Sequence, residues 1–471
     1  MTGLNFLTID EVEAIHQTTL RILEDIGIGL ENETARGILY GAGARIHNGR
    51  VHLPPDLVEK MLTLCPPQVR VQGREGRVMT LGDGNLYWHN VGGASHVYDH
   101  GSGTRRAATV QDVEDSTRLL DALDGLTTIT PFFTPQDVPG PVMSLAMYRY
   151  ALPHTTKPVQ GPGVQVAAEV RFAVEMASVI GSPHEVLSLS TSPISPLLFP
   201  DATVDCIIEI ARAKVPFAPL PCPTAGATAP LSLAGALAQQ SAENLACIVL
   251  AQLVKPGLPI VYCGRLAVME PRTGGSVWGG VELGLISAAT VQIGHFYHLP
   301  VNVYGFSTNS HTLDLQNGYE RALNAAIPAL AGADELSGVG EMSAGIQGSF
   351  AQMVCDNEIA ASVRRLRRGI AVNDDTLALE VMGQVMSGSH NFLDQMHTVR
   401  HLRAGELLVT KLAERRSWEE WERHNRQNLA DRAQAQAERI LAEHQVPQLT
   451  EEQQRHLQEI MKEAESELVS G

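Results

Sequence analysis

The sequence predicts an α/β protein: a (β/α)8 barrel of the TIM type, preceded by a mixed helical cap and followed by a helical tail. From Thr109 onward an amphipathic helix, a short apolar run and a Gly/Pro/Ser-rich loop recur about every 35 to 40 residues. That alternation is the pattern of parallel strands joined by crossover helices. Each of seven apolar runs leads into a loop of unusual composition. The chain of 471 residues also has room for one barrel of about 250 residues or more with terminal additions. An open doubly wound sheet is the alternative, with its ligand at the strand-order switch.

Residues 1–108 read as the cap. Thr8 with Glu11 forms a capping box, and Val12, Ile15, Ile22 and Ile26 then fall on one helical face. Further helices are expected at 31–41 and 55–64, and short β-like pieces at 44–53, 69–81 and 85–98. Residues 109–400 read as the barrel, with strand candidates at 126–130, 158–161, 186–191, 216–220, 259–263, 301–304 and 335–339. An eighth is expected before His390. The loops that follow, among them TPFFTPQDVPG, QGPGVQ, STSPISPLLFP and YGFSTNSHTLD, converge on the face that carries the chemistry in such barrels. Residues 401–471 are charged and helical, a tail that packs one stripe on a neighbour or on the barrel.

Composition narrows the function. A net charge of −17 disfavours a nucleic-acid surface, which needs clustered Lys and Arg. The six cysteines (Cys65, Cys206, Cys222, Cys247, Cys263, Cys355) have neither CxxC nor short His/Cys spacing, so they read as buried thiols in a reducing compartment. With no basic-then-apolar leader pattern and no apolar window of about 20 residues, cytoplasmic residence is expected. Walker, HExxH and GxSxG signatures are absent, and the glycine pairs lack dinucleotide-binding spacing.

Two segments hold candidate site residues. The loop after the sixth strand carries Phe306, Asn309, His311 and Asp314, the last standing equally well as a helix cap. SGSHNFLDQMHTVRH places His390 and His397 seven residues apart, so a helix would put them on one face, yet no third metal ligand has convincing spacing. No metal is therefore assigned. Aromatic residues gather near the strand ends, including Tyr98, Phe133, Phe306, Phe350 and Phe392, as core packing or as faces for a trimethylammonium group, which has no hydrogen to donate.

Four stretches resemble the trimethylamine methyltransferase family: LRILEDIGIGLENETARGILYGAGARIHNGRVHLPPDLVEKMLTLCPPQVRV, VYDHGSGTRRAATVQDVEDSTRLLDALDGL, DLQNGYERALNAAIPALAGADELSGVGEM and HNFLDQMHTVRHLR. They span essentially the whole chain in order. The resemblance implies a barrel enzyme that moves a methyl group from an amine nitrogen to the cobalt of a cobalamin (corrinoid) carried by a separate protein, with no cofactor held tightly by this chain. Founding members carry pyrrolysine at the barrel mouth; this sequence has only the ordinary residues. That shifts the expected substrate to a quaternary amine of the glycine betaine, proline betaine or carnitine type.

Carried over by motif region, Tyr98, Phe306, Asn309, His311, Gln347 and Phe350 are expected at the mouth, and Phe133 and His390 are further substrate-binding candidates by their place near strand ends. Ser195, Asn309, His311 and Arg265 are candidates for a substrate carboxylate. The expected partners are the amine, a small corrinoid protein and further copies of this chain. A non-catalytic quaternary-ammonium-binding barrel and a metal-dependent barrel hydrolase using His390 or His397 are the competing readings.

Overall fold

Among the described residues, eight extended segments each followed by a helix make the body of this α/β fold. They are β1 (Tyr87–Asn90), segments at 127–130 and 158–161, β2 (Leu189–Thr191), β3 (Phe217–Pro219), β4 (Tyr262–Gly264), β5 (Val301–Tyr304) and β6 (Glu335–Val339). The computed structural model describes residues 3–161 and 163–470; Met1, Thr2, Gly471 and Pro162 of the QGPGVQ loop lie outside them.

The pairings run in chain order. Trp88 O accepts from Thr127 and Thr128 N–H, Ile129 bridges Val159 in parallel, and Gly163 bridges Ser190. β2 pairs with β3, Phe217 of β3 bridges Ile260 ahead of β4, and β4–β5 and β5–β6 follow, all parallel. β6 then pairs in parallel with β1, with a register shift between Leu336 and Val339.

That last pairing corrects the expected eighth strand before His390. The partner of 335–339 is Tyr87–Asn90, inside the stretch read as cap, whereas residues before His390 form the helix Leu379–Ser387. YWHN lies inside the β-like piece expected at 85–98, but its place beside 335–339 was obscured because it is not an apolar run like the other strands. The N-terminal helix also ends differently. Thr8 and Glu11 do form the capping box of Ile9–Arg21, but the chain then widens into a π-helical turn at Ile22–Ile26, closed by Gly27 at φ +72°. Val12 and Ile15 are buried as expected, whereas Ile26 is exposed.

The helices Leu233–Val254 and Val281–Phe296 have little polar face, and a helix apolar all round must be covered on all sides. The N-terminal helices Ile9–Arg21, Glu33–Gly41 and Pro55–Leu62 pack on Leu233–Val254 from outside. Thr19 Oγ1, buried there, donates to Ala238 O at 3.1 Å. A hairpin of Val69–Gln72 and Val78–Leu81 packs its alternate residues Val69, Val71, Met79 and Leu81 on Val261 and Cys263, making an apolar cluster apart from the main core. Its turn passes so close to the body that a Cβ on Gly73 would lie 2.3 Å from Thr156 O.

The tail lies on the body. Leu429–Glu443 packs on Phe350–Arg368 and Val110–Ala122, its buried Ala430, Ala433 and Ala437 allowing close approach, and Glu451–Ser470 packs on Ala167–Ile180. Buried Asp121 ties the two parts: it accepts from Thr155 Oγ1 at 2.7 Å and Thr156 N–H at 2.9 Å, and its other oxygen lies 2.9 Å from His444 Nε2. Burial pushes this carboxyl up, but those donors outweigh it and hold the group below its ordinary range. Its stabilising contribution is therefore complete above about pH 4 and disappears as pH falls through the lowered value. Asp121→Asn should cost roughly 1–3 kcal/mol near neutral pH and speed amide exchange over 444–470. The gap to wild type should close in acid; an unchanged gap at low pH would contradict this role.

Candidate active site

Because the strands run parallel, residues two apart on each point to the same side, and the loops after them lie at one end. The inward positions are unusually polar. His89, Thr130, Gln160, Cys263, Arg265, Asn302, Tyr304, Glu335 and Ser337 all line a cavity of about 470 Å3. One end is floored by the hairpin residues Val69, Val71, Met79 and Leu81. At the other, Gly92, Gly93, Gly140 and Gly163 are exposed, so their rim positions carry no side chain across the opening.

One hydrogen-bond network joins this lining. Asn302 Nδ2 donates to Glu335 Oε2 at 2.5 Å and to His89 Nε2 at 2.8 Å, while Asn302 Oδ1 accepts from Arg265 Nη2 at 2.5 Å. Glu335 Oε1 accepts from Gln160 Nε2 at 2.8 Å and Thr128 Oγ1 at 2.9 Å. Arg265 Nη1 also donates to Gly264 O at 2.9 Å, and the guanidinium stacks over Tyr304, 4.5 Å from the ring centroid. The far side of that ring meets Trp278 edge-on at 5.1 Å. Thus one cation and one carboxylate are held in the same closed space, separated by an amide that bonds both. Burial, followed by the opposing field of Glu335 and the supporting field of Arg265, lowers the pKa of His89. A neutral ring agrees with Nε2 accepting from Asn302 and Nδ1 standing 3.2 Å from Thr130 Oγ1.

Of the residues expected at the site, Arg265 alone lines this cavity. Phe306 is fully buried against Trp88, and Phe133 packs between Phe132 and Phe350 in the core. These rings are therefore packing, not a cage open to a ligand. Tyr98 is half-buried on the strand His96–Asp99, which pairs through His96 with Gln347. Gln347 is buried and donates to His311 O at 2.8 Å, while the exposed His311 has Nδ1 2.5 Å from Ser343 Oγ. Asn309 Oδ1 accepts from the Trp278 and Gly279 N–H groups, and Ser195 Oγ donates to buried Glu243 at 2.7 Å. Asp314 caps the helix Leu315–Leu330. His390 is exposed at φ +53°, outside the helix Met396–Arg403 that holds His397, so the two share no helical face.

The polar density of the loop after β5 is mostly support for that loop. Ser307 Oγ and Thr308 N–H donate to buried Glu341, and Thr308 Oγ1 and Asn309 N–H to Glu320. Burial pushes Glu341 up to about 7, against the field of Arg321; the same opposition leaves Asp356, paired with Arg321 at 2.8 Å, at about 6. The sequence reading looked at loops and missed His89, Gln160, Asn302 and Glu335, which stand within or just ahead of the strands. For Gln160, Asn302 and Glu335 the signal was a charged or amide side chain inside a short run at positions that alternation turns inward, whereas His89 stood in a stretch with no such run to mark it.

A profile of the family described as trimethylamine methyltransferase (MTTB) matches residues 1–468. Trimethylamine methyltransferase MttB of Desulfitobacterium hafniense is 31% identical over 99% of this chain and 95% of its own length. A glycine betaine methyltransferase from another strain of that species is 30% identical over 95% of this chain and 94% of its own. The crystal structure of Methanosarcina barkeri monomethylamine methyltransferase (MtmB) superposes with a TM-score of 0.48 at 12% identity, covering 97% of this chain and 92% of that one.

The lowered pKa of His89 sets a sign. In the unfolded chain the ring takes up a proton below about pH 6.5, but in the folded one it stays neutral further down, so stability drops as pH falls through that range. Relative to His89→Gln, wild-type protein should lose about 1 kcal/mol of unfolding free energy between pH 7.5 and 5.5, measured by urea denaturation. Equal losses in both proteins would count against a neutral buried His89.

Proposed function

We propose, since this chain belongs to the trimethylamine methyltransferase family, that it demethylates a quaternary amine of the betaine type, delivering the methyl group to a corrinoid protein. The observation that carries the choice of substrate is the pair of opposite charges, Arg265 and Glu335, held in one cavity and bridged by Asn302. A betaine is itself a zwitterion. Its carboxylate matches the guanidinium, and its permanently positive nitrogen matches the field of the carboxylate; neither needs a proton. A cavity of about 470 Å3 also falls in the usual small-molecule range of roughly 300–1,000 Å3. The relatives named above, one acting on trimethylamine and one on glycine betaine, frame this reading.

The chemistry asked of the chain is modest. One N–CH3 bond breaks, its electron pair stays on nitrogen, and a neutral tertiary amine leaves, so no acid need protonate the leaving group. The nucleophile that takes the methyl is what the partner's reduced corrinoid supplies. The glycine rim at Gly92, Gly93, Gly140 and Gly163 suits the approach of a broad planar group, because those positions add no side chains to the opening. Arg265 and Glu335 bind and orient the substrate, and the apolar hairpin excludes water from beneath it. On this reading a chain built from the twenty ordinary amino acids suffices without pyrrolysine.

The same reading takes the eight consecutive pairings as a (β/α)8 barrel starting at Tyr87 rather than 109, with residues 1–86 as cap and floor and 401–471 as tail. Ser195, Asn309 and His311 are then rim residues that the docked partner covers, with the buried Gln347 holding the His311 carbonyl beneath them. Apolar side chains exposed between Ile370 and Val409 support self-association of the chain. The six free cysteines suit a reducing cytoplasm. Among the described residues no helix is long and apolar enough to cross a membrane.

Purified protein with a reduced corrinoid protein and glycine betaine should form methylcobalamin and the dimethylated amine. Arg265→Ala should weaken betaine binding roughly 10- to 100-fold, the loss of one charge-assisted contact, while affecting choline, which has no carboxylate, far less. Binding across a panel of betaines with no methyl transfer would favour a non-catalytic binder. Equal losses for betaine and choline would remove the role of Arg265.

A further inference from the structure

Outside the cavity, the fold brings together three side chains that the sequence separates. His397 and His401 stand four residues apart on one face of the helix Met396–Arg403, and Asp375 comes from the short helix Asp374–Leu377 packed beside it. One ligand atom from each lies within 4.8 Å of the other two. His390, the expected neighbour of His397, is not part of this group; Asp375 and His401 take its place.

We infer that Asp375, His397 and His401 form a binding site for one divalent transition-metal ion of the zinc class. His401 Nε2 lies 3.2 Å from Asp375 Oδ2, yet it is cut off from solvent and makes no hydrogen bond. A buried ring nitrogen facing a carboxylate oxygen at that distance, but misaligned for a proton between them, needs another partner. With ligand bonds of about 2.0–2.1 Å at a tetrahedral centre, neighbouring ligand atoms stand about 3.4 Å apart, close to the 3.2 Å observed. The two imidazoles lie side by side at 4.1 Å between centroids, which brings both rings to the same carboxylate.

The surroundings agree. Arg400 pairs with Asp375 Oδ1 and leaves Oδ2 directed at His401, as outer partners orient a metal-bound carboxylate. His397 Nε2 is 3.0 Å from the carbonyl oxygen of Asp375, holding its ring over the same turn. The group borders a cavity also lined by Asp374 and Glu380, whose charges offset Arg400 and attract a cation. Three protein ligands beside open space leave a fourth position for water or an outside donor. The ion would fasten the 374–377 turn to the 396–403 helix in a stretch with little buried surface of its own.

Protein purified without a histidine tag, stripped with a chelator and titrated with zinc, should bind about one ion per chain, and its cobalt(II) form should show the visible bands of a tetrahedral N/O site. His401→Ala and Asp375→Asn should each lower zinc affinity by more than about 100-fold, whereas His390→Ala should bind as wild type. Circular dichroism, with the methyl-transfer assay, reports whether each variant remains folded. No zinc or cobalt binding by wild type, or unchanged binding in both ligand variants, would overturn the site.

Discussion

A guanidinium and a carboxylate buried in one cavity are tolerable only if the polar atoms around them are matched, and Asn302 does that matching. Its amide donates in two directions and accepts in a third, so Glu335, His89 and Arg265 are satisfied without closing on one another. A direct ion pair would neutralise the cavity and leave nothing for a ligand. Keeping the charges apart maintains a local dipole in a space of low polarisability, where electrostatic contacts are strongest. Gln160 and Thr128 on one side, and Tyr304 with its edge-on neighbour Trp278 on the other, hold both ends of that dipole in place.

The outer layers serve this interior. The helices behind β3 and β4 are too apolar to face water, which is why the N-terminal helices wrap them. The hairpin closes the lower opening with four apolar side chains, and Gly73 lets its turn seat against the backbone at Thr156. Arg74 then donates to Thr155 O, Pro153 O and Pro447 O, so one side chain links the hairpin, the body and the approach to the last helix.

Sequence periodicity revealed most of the scaffold. Seven of the eight strand positions, the capping box at Thr8 and the Asp314 cap were legible because each depends on neighbours within one turn or one strand. The first strand fell inside the β-like piece expected at 85–98, but its place beside Glu335–Val339 was hidden, since Tyr87, His89 and Asn90 break the apolar pattern of the other strands. The same cause hid the lining: Asn302 and Glu335 looked like interruptions of strands rather than their purpose. Arg265, expected near the site, does line the cavity, an arginine beside a strand end having few structural excuses. Phe133 and Phe306 misled for the opposite reason, because aromatic residues near strand ends serve packing as readily as ligand contact.

The hairpin closes one end of the cavity, which leaves the glycine-lined end open. In the proposed reaction, the small amine and the bulky macrocycle must use the same entrance, so traffic is forced into single file: amine in, carrier on, carrier off, product out. Turnover would then be governed by how fast the carrier lets go, and excess carrier would slow the enzyme by trapping product behind it.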